Sequence, residues 1–381
     1  MVYLDYNAST PVDVHVHQAM DDIQHRFGNP ASAHHSAGRA AGELIDEARG
    51  RVGRMVGRAM QDVIFTSGAT EAAALGILGV MLGPGSRPNI VIASTEHKAV
   101  IAAAELGARL AGGEVRIASV DEDGLVALGD LDRLVDDSVA VVAVMAANNE
   151  TGVVASISEV ATIAERAGAL SFVDATQTVG KSPIDGVAKC ADLMVFSSHK
   201  IYGPKGAGAL IANRQVQRGL VPIVAGGGQE RGLRGGTQNT PAIVGFGLAA
   251  ELAMKEQLSD AARIGQLASE LLNEIEARIP DVQLNGGKAD RLSNTLNLRF
   301  VGADAEAVMA WMPDVLVSAG SACQSAVSTP SHVLTAMGVS EIAASESLRI
   351  SLGRPTTSEE VRAAASAIVD AVTRVRELAS E

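Results

Sequence analysis

Cysteine and aromatic residues are scarce in this sequence. Among its 381 residues there are two cysteines, Cys190 and Cys323, while Phe, Trp and Tyr together make up 3%. Two cysteines far apart along the chain do not form the disulfide framework of a small secreted protein. Apolar residues nevertheless reach 47%, and Ala, Gly and Val carry much of the apolar character, so helices can pack closely against a sheet.

Excess positive charge and long apolar runs are also lacking. The net charge of −13 argues against a broad nucleic-acid-binding surface, because neutralising phosphates requires clustered Lys and Arg. No apolar run reaches the roughly 18 residues of a membrane span, and the first residues lack the basic and apolar regions of a signal peptide. We therefore expect a cytoplasmic protein with no membrane contact and no direct nucleic-acid binding. The G-x-G-x-x-G motif of dinucleotide enzymes does not follow the first strand.

Apolar strands alternate with helices through most of the chain. The predicted strands cover residues 62–66, 90–93, 114–118, 139–146, 170–173, 193–196 and 207–211. This alternation is typical of an α/β protein whose mostly parallel sheet lies between helices. The length exceeds that of a usual single core, so we expect a second, smaller domain. A long helix over residues 241–278, with a break, leads towards an α+β pattern that begins near residue 282.

Residues 197–206, which read SSHKIYGPKG, lie between two apolar strands. A lysine at the carboxyl end of a buried strand suits imine chemistry, so Lys200 could form a Schiff base with an aldehyde cofactor. Ser197 and His199 could then donate hydrogen bonds to that cofactor's phosphate. The alternative interpretation is a polar turn with an exposed lysine.

Polar residues also follow other predicted strands. Because the carboxyl ends of parallel strands share one edge of a sheet, we expect these side chains to converge on a site there. They are His97, Asn148, Asn149, Asp174, Gln177 and Lys200. The segment Ser67-Gly68-Ala69-Thr70-Glu71 leads into a helix and could cradle a phosphate, although Ser and Thr near a helix start are often simple caps.

Four other segments receive plainer interpretations. Residues 2–11 are interpreted as an ordinary lead-in, and residues 226–237 as either a flexible surface loop or an anion-contacting one. His34 and His35 have no carboxylate or cysteine neighbours at ligand spacing, so we expect no metal there. Cys190 precedes a buried strand and is interpreted as structural, whereas the small, polar loop around Cys323 favours an accessible thiol.

Taken in order, these segments resemble the pyridoxal-phosphate-dependent cysteine desulfurases of the fold type I aminotransferase superfamily. The resemblance covers nearly the whole chain. It is carried by TSGATE at residues 66–71, EH at 96–97, NNE at 148–150, VDATQ at 173–177, the HK pair at 199–200 and GSAC at 320–323. It implies a seven-stranded sheet in a large domain of residues 15–249, and a small α+β domain of residues 1–14 and 250–381.

The resemblance also implies roles for individual residues. Lys200 would hold pyridoxal 5'-phosphate covalently, Asp174 would pair with its pyridine nitrogen, and His97 would stack on its ring. Gln177 would bond its phenolic oxygen, Asn149 would orient substrate and ring, and Arg349 would bind the substrate's carboxylate. The implied phosphate ligands are Ala69, Thr70, Ser197, Ser198 and His199, together with Thr237 from the other subunit of a homodimer.

Cys323 would accept sulfur from L-cysteine, leaving alanine and a persulfide on the enzyme. Its separation from Arg349 resembles the group I desulfurases, in which the cysteine lies on a long loop. The sulfur would then pass to an acceptor protein in iron-sulfur assembly, tRNA thiolation or DNA phosphorothioation. Housekeeping members dock an iron-sulfur scaffold through an extended tail, which is not expected here. Ala72-Ala73-Ala74 replaces the polar residues common in the family.

Two other classes of function compete with this one. The first is another pyridoxal-phosphate enzyme of the same fold, such as a selenocysteine lyase or an aminotransferase. The second is a non-catalytic interaction protein. An aminotransferase gives no reason for the cysteine in a Gly/Ser-rich loop. An inert scaffold gives no reason to retain Lys200, Asp174 and Cys323 together.

Overall fold

The computed structural model describes residues 1–319 and 330–380. Its strands are β1 (Val2–Tyr3), β2 (Val63–Thr66), β3 (Asn89–Ala93), β4 (Val115–Ala118), β5 (Val139–Ala143), β6 (Leu170–Asp174), β7 (Leu193–Ser197), β8 (Gly208–Ala212), β9 (Val282–Leu284), β10 (Thr295–Phe300), β11 (Val315–Leu316), β12 (Ser318–Ala319) and β13 (Ser347–Ser351). Its helices are α1 (Val14–Gln24), α2 (Ser36–Met55), α3 (Ala69–Met81), α4 (Lys98–Ala111), α5 (Leu128–Leu134), α6 (Ile157–Ala167), α7 (Asp185–Cys190), α8 (Arg214–Gly219), α9 (Thr240–Glu276), α10 (Ala305–Trp311), α11 (His332–Ala336), α12 (Glu341–Ser345) and α13 (Ser358–Ser380).

Seven strands form the large sheet, in the order β2-β8-β7-β6-β5-β3-β4. Only β8 runs antiparallel to its two neighbours, so the prediction of a mostly parallel sheet between helices is confirmed. Side chains alternate across the sheet, as the strand period of two requires. In β2, Val63 and Phe65 join the core beneath α2 and α9, whereas Ile64 joins the core beneath α3 and α4.

A second core lies around the four-stranded sheet β12-β13-β10-β9, whose pairs are antiparallel. The second half of α9 and helices α10 and α13 contribute its apolar side chains, together with Leu4 from the start of the chain. Strand β1 pairs in parallel with β11 beside this core. The division into domains at residues 14 and 249 stays a prediction.

The predicted break in the long helix is wrong, because α9 is continuous over 37 residues. Its proline, Pro241, lies in the first turn, where the missing N–H is not needed. Residues 255–260, polar except for the exposed Leu258, interrupt the apolar pattern, but they only mark where the helix leaves one core for another. Ala253 packs in the core beneath α2 and α9, which we call the large core, and Ile264 packs in the core of the four-stranded sheet.

No helix in residues 1–319 and 330–380 is long and apolar enough to span a membrane.

Candidate active site

A cavity of about 470 Å³ opens at the carboxyl edge of the large sheet. It meets the ends of β2, β5, β6 and β7, the starts of α3 and α4, and β13 from the smaller sheet. The predicted site residues that line it are Ala69, Thr70, His97, Asn149, Asp174, Gln177, Ser197, His199, Lys200 and Arg349. Parallel strands and their crossovers therefore gather polar side chains from distant parts of the sequence at one place.

Lys200 ends a 3₁₀ turn, Ser198–Lys200, that follows β7 directly. Its side chain is partly buried, and its Nζ donates hydrogen bonds to the backbone oxygens of Asn7 and Ala8. The alternative of an exposed lysine in a polar turn is therefore wrong. Backbone oxygens hold the amine at the wall of the cavity, where a ligand can meet it.

Asn7 contradicts the interpretation of residues 2–11 as an ordinary lead-in. Its side chain is 1% exposed, and its backbone oxygen accepts from both Lys200 and Gln177. Its Oδ1 accepts from Lys181 at 2.9 Å and from Asn294 at 3.1 Å. The sequence of this short polar segment did not indicate that Asn7 would be buried and hydrogen-bonded at the cavity. Because buried amides need hydrogen-bond partners, Asn7 ties the amine and amide groups of the cavity together.

His97 is the N-cap of α4. Its Nδ1 accepts from the backbone N–H of Ala99 at 3.1 Å, which assigns the proton of the neutral ring to Nε2. Burial lowers the pKa of His97, and the charge of Asp174 only partly opposes that effect. The ring at the cavity wall is therefore a neutral imidazole.

Asp174 ends β6 and is 9% exposed. Its Oδ1 accepts from the backbone N–H of Thr176 at 2.9 Å, which fixes the carboxylate at the cavity. Thr176 also lines the cavity, and its buried Oγ1 has no hydrogen-bond partner in residues 1–319 and 330–380.

Glu96 is a buried acid to which sequence reasoning gave no role. It is fully buried, and its Oε1 accepts from the backbone N–H of Met145 at 2.6 Å. Burial raises the pKa of Glu96 well above its usual range, and the nearby charge of Asp174 adds to the rise. Both effects favour the protonated form of the Glu96 carboxyl.

The first turn of α3 forms one end of the cavity. Ser197 Oγ accepts from the Ala69 N–H at 3.1 Å, which joins the helix start to the end of β7. Unpaired N–H groups and the helix dipole favour an anion at such a terminus. Ala72 and Ala73, which stand where the family commonly has polar residues, are buried in the core beneath α3.

Glu71, in the same turn of α3, is paired with Ser67 and Arg234. Its carboxylate accepts from the Ser67 N–H and from Arg234 at 2.7 and 3.2 Å. Burial alone would raise the pKa of Glu71, but these hydrogen bonds lower it overall, so the group is ionised and paired. The Gly-rich loop that carries Arg234 is thus attached to the site rather than a free surface excursion. Its Glu230 also forms a buried ion pair with Arg49 at 2.6 Å.

His199 lies beside this terminus, with its Nδ1 3.2 Å from Ser9 Oγ. Burial lowers the pKa of His199 to about 4, helped by the positive charges of Lys200 and Lys205. The ring is therefore neutral and adds hydrogen-bonding capacity without charge.

Three predicted residues do not line the cavity. Ser198 is buried behind it, and its Oγ has no hydrogen-bond partner in the part of the chain that the structure describes. Thr237 lies in an exposed loop. Asn148 instead folds over its own turn, where its Oδ1 accepts from the N–H groups of Glu150 and Thr151.

The two cysteines fall in different places. Cys323 lies outside the described residues. Cys190 ends α7, partly buried, and packs against the large core, which agrees with a structural role.

Arg349 reaches the cavity from β13. Its Nη2 donates to Asp5 at 2.6 Å and its Nη1 to the Asn149 backbone oxygen at 3.3 Å, while its buried Nε has no hydrogen-bond partner among the described residues. Asp5 and Asn149 thus hold the plane of the guanidinium in place at the cavity wall. A planar, two-pronged donor of this kind matches a carboxylate.

For L-cysteine, the substrate that the sequence resemblance implies, we expect Arg349→Lys to raise the KM about tenfold with a smaller change in kcat, because lysine keeps the charge but loses the two-pronged geometry. Steady-state kinetics measures both constants. Arg299→Lys is the matched control. Arg299 lies on the neighbouring strand β10 and forms an ion pair with Glu346. Equal KM values for all three proteins would contradict the role of Arg349.

The donors of this cavity fit pyridoxal phosphate. An amine, a carboxylate and an amide face one space with a helix N-terminus at its end, and these match an aldehyde, a pyridine nitrogen, a phenolic oxygen and a phosphate. The unpaired Thr176 Oγ1 and Arg349 Nε add polar atoms that still lack partners. In residues 1–319 and 330–380, no group of three or more His, Cys, Asp or Glu side chains is arranged to hold a metal.

Comparison with known proteins finds one matching family model. Residues 2–363 match the family described as aminotransferase class-V. A cysteine desulfurase from Frankia sp. (strain EuIK1) is 47% identical over 392 residues, covering 99% of this chain and 93% of the relative.

Solved structures agree with the sequence comparison. A NifS-like protein from Rickettsia africae ESF-5 superposes with a TM-score of 0.87 at 31% identity, covering 99% of both chains. A structure of SspA in complex with cysteine superposes with a TM-score of 0.81 at 33% identity, covering 92% of this chain and 99% of that one.

Proposed function

The chain belongs to the aminotransferase class-V family and is a cysteine desulfurase, and from this premise we propose that Cys323 receives the sulfur of L-cysteine bound in the cavity beside Lys200. The observation that carries the proposal is the convergence of Lys200, Asp174, His97 and Arg349 on one cavity. The family uses pyridoxal phosphate, which when bound supplies an electron-accepting ring that stabilises negative charge next to the substrate's amino group.

The cofactor-binding residues of the proposal come from both sides of the cavity. Lys200 would hold the aldehyde carbon, and the charge of Asp174 would face the pyridine nitrogen. His97 would pack on the ring as a neutral imidazole. Gln177 would donate to the phenolic oxygen, and Asn149 would orient ring and substrate. The phosphate ligands would be the α3 N–H groups of Ala69 and Thr70, with Ser197 and His199, whereas Ser198 is buried behind the cavity.

Substrate binding depends on the residues contributed by β13 and the N-terminal segment. Arg349 would bind the carboxylate of L-cysteine through the edge formed by Nε and Nη2, while the other hydrogen of Nη2 stays with Asp5. Lys200 would carry protons to and from the substrate. The backbone oxygens of Asn7 and Ala8 hold its Nζ within the cavity.

Sulfur transfer in this proposal is a displacement at the substrate's sulfur. The Cys323 thiolate attacks that sulfur, the new S–S bond forms, and the carbon–sulfur bond of the substrate breaks. The electron pair goes to the substrate's β-carbon, which takes up a proton, so the products are L-alanine and a persulfide on Cys323. A free thiol of pKa about 8.5 is only a few per cent ionised at pH 7, so a lowered pKa would speed the attack.

The partners of the proposal are a second copy of this chain and a sulfur-acceptor protein. Thr237 lies on an exposed loop outside its own cavity, which supports a role at the cavity of the other subunit in a homodimer. The acceptor receives the persulfide sulfur for iron-sulfur assembly, tRNA thiolation or DNA phosphorothioation. We place the reaction in the cytoplasm.

We expect Cys323→Ser to bind pyridoxal phosphate and L-cysteine but to form no persulfide, because a serine hydroxyl is barely ionised at neutral pH and cannot carry sulfur as a persulfide. Mass spectrometry after exposure to L-cysteine measures one added sulfur, and peptide mapping locates it. Cys190→Ser, the matched control, keeps persulfide formation and loses at most some stability. Added sulfur on Cys190, or full turnover by Cys323→Ser, would refute the assignment.

A further inference from the structure

A second lysine lies beside Lys200, and the sequence gave it no role. Lys181 is in the turn that follows β6, with its side chain partly buried. Its Nζ donates to Gln177 Oε1 at 2.6 Å and to Asn7 Oδ1 at 2.9 Å. The acceptors in both bonds are neutral amide oxygens, so neither bond compensates the charge of an ammonium group.

The position is an unfavourable one for a cation. Burial lowers the pKa of Lys181 well below its usual range, and the positive charges of Lys200 and Arg349 lower it further. A chain that needed only packing here could use an apolar side chain, because isolated amines are costly to desolvate. The presence of an amine at this position therefore indicates a function. The hydrogen bonds from Lys181 to Gln177 and Asn7 indicate which function it is.

The backbone before Lys181 approaches the turn that carries Lys200 closely. Gly180 has a φ of 75°, and a Cβ at this residue would lie 2.7 Å from Ile201 Cγ2. Only glycine fits there without strain, so the turn after β6 packs tightly on the turn that carries Lys200.

We propose that Lys181 is a positioning residue that fixes the orientation of the Gln177 amide, so that Gln177 can act in the cavity only as a hydrogen-bond donor. Lys181 Nζ donates to Gln177 Oε1 at 2.6 Å, so this oxygen faces the amine and not the ligand. Gln177 Nε2 donates one hydrogen to the Asn7 backbone oxygen at 3.0 Å, which can only accept, and keeps a second for a ligand. Without Lys181, Oε1 loses its partner, and the Asn7 backbone oxygen alone holds the amide.

The consequence rests on the proposed function, in which Gln177 faces the phenolic oxygen of pyridoxal phosphate. A hydrogen-bond donor stabilises the anionic form of that oxygen and lowers its pKa. Lys181 thus sets the protonation state of the bound cofactor through Gln177, without touching it.

The test is a double-mutant cycle on the full-length, cofactor-loaded protein in the absence of substrate. The pH midpoint of the cofactor's visible absorption change is measured for the wild type, Lys181→Met, Gln177→Met and the double variant. We expect Lys181→Met to raise the midpoint by about one pH unit in the wild-type background. It should leave the midpoint almost unchanged in the Gln177→Met background, because coupled residues are not additive.

Lys189→Met changes an exposed lysine on α7 and is the control, with an unchanged midpoint expected. An equal shift in both Gln177 backgrounds would show that Lys181 acts through its charge alone, and no shift would show that it does not act; either result overturns the proposal. If Lys181→Met does not fold, Lys181→Leu, which likewise has no hydrogen-bond donor, takes its place in the cycle with the same expected direction. A wild-type protein with no visible band would instead contradict the proposed cofactor, and with it this inference.

Discussion

Lys200→Ala is expected to purify without bound cofactor colour and to lose L-cysteine desulfuration by at least about a thousandfold. The substitution removes both the covalent attachment and the amine that carries protons, and losing even ~4 kcal/mol of transition-state stabilisation slows a reaction about that much. Absorbance between 300 and 500 nm and an assay of alanine and sulfide together measure the two losses. Lys189→Ala, in an exposed position, should keep both properties.

A chemical experiment on the unmodified protein tests the same assignment without a mutation. Borohydride should reduce the bond between cofactor and lysine, so that peptide mapping finds the cofactor on the peptide that contains Lys200. Lys181 is the informative competitor, because both amines contact Asn7. Cofactor trapped on Lys181, or on any other lysine, would refute the role given to Lys200.

The sheet was predictable because its signals are local. Apolar runs and the residues that interrupt them predicted the strands of the large sheet to within a few residues. The continuity of α9 was not predictable from the same signals. An exposed polar stretch and a helix break look alike in a sequence, and only the two cores that the helix joins distinguish them.

The cavity was predictable to the extent that its residues follow strands. His97, Asp174, Gln177 and Lys200 lie at the carboxyl edge of the sheet for this reason, and parallel topology brings them together. Asn148 has the same place in the pattern but serves its own turn, because an Asn side chain readily bonds nearby backbone groups.

Asn7 and Lys181 could not be found in this way. Asn7 belongs to a segment that crosses between the two sheets, and its partners are far away along the chain. Lys181 follows a strand only after a turn, and no motif distinguishes it from a surface lysine. Both residues act through networks of hydrogen bonds, which depend on distances that a sequence does not contain.

Asp174→Asn is expected to keep the fold and the bound cofactor but to lower kcat about a thousandfold. Asparagine has nearly the same shape and can still accept from the Thr176 N–H, so the turn after β6 stays in place. What it lacks is the negative charge that Asp174 directs at the pyridine nitrogen, and that charge keeps the bound ring electron-poor. A loss of ~4 kcal/mol at the transition state corresponds to this factor.

Three measurements separate this result from simple damage to the site. Thermal unfolding should show a small change in Tm, and the KM for L-cysteine should change little, because Arg349 and Asp5 remain. Asp192→Asn is the matched control for the loss of an acid near β6. The Asp192 carboxylate accepts from the N–H of Ser171, which lies in β6 with Asp174, but Asp192 does not line the cavity. The control should keep kcat even if it costs some stability, whereas near-normal kcat in Asp174→Asn would mean that another group supplies the charge.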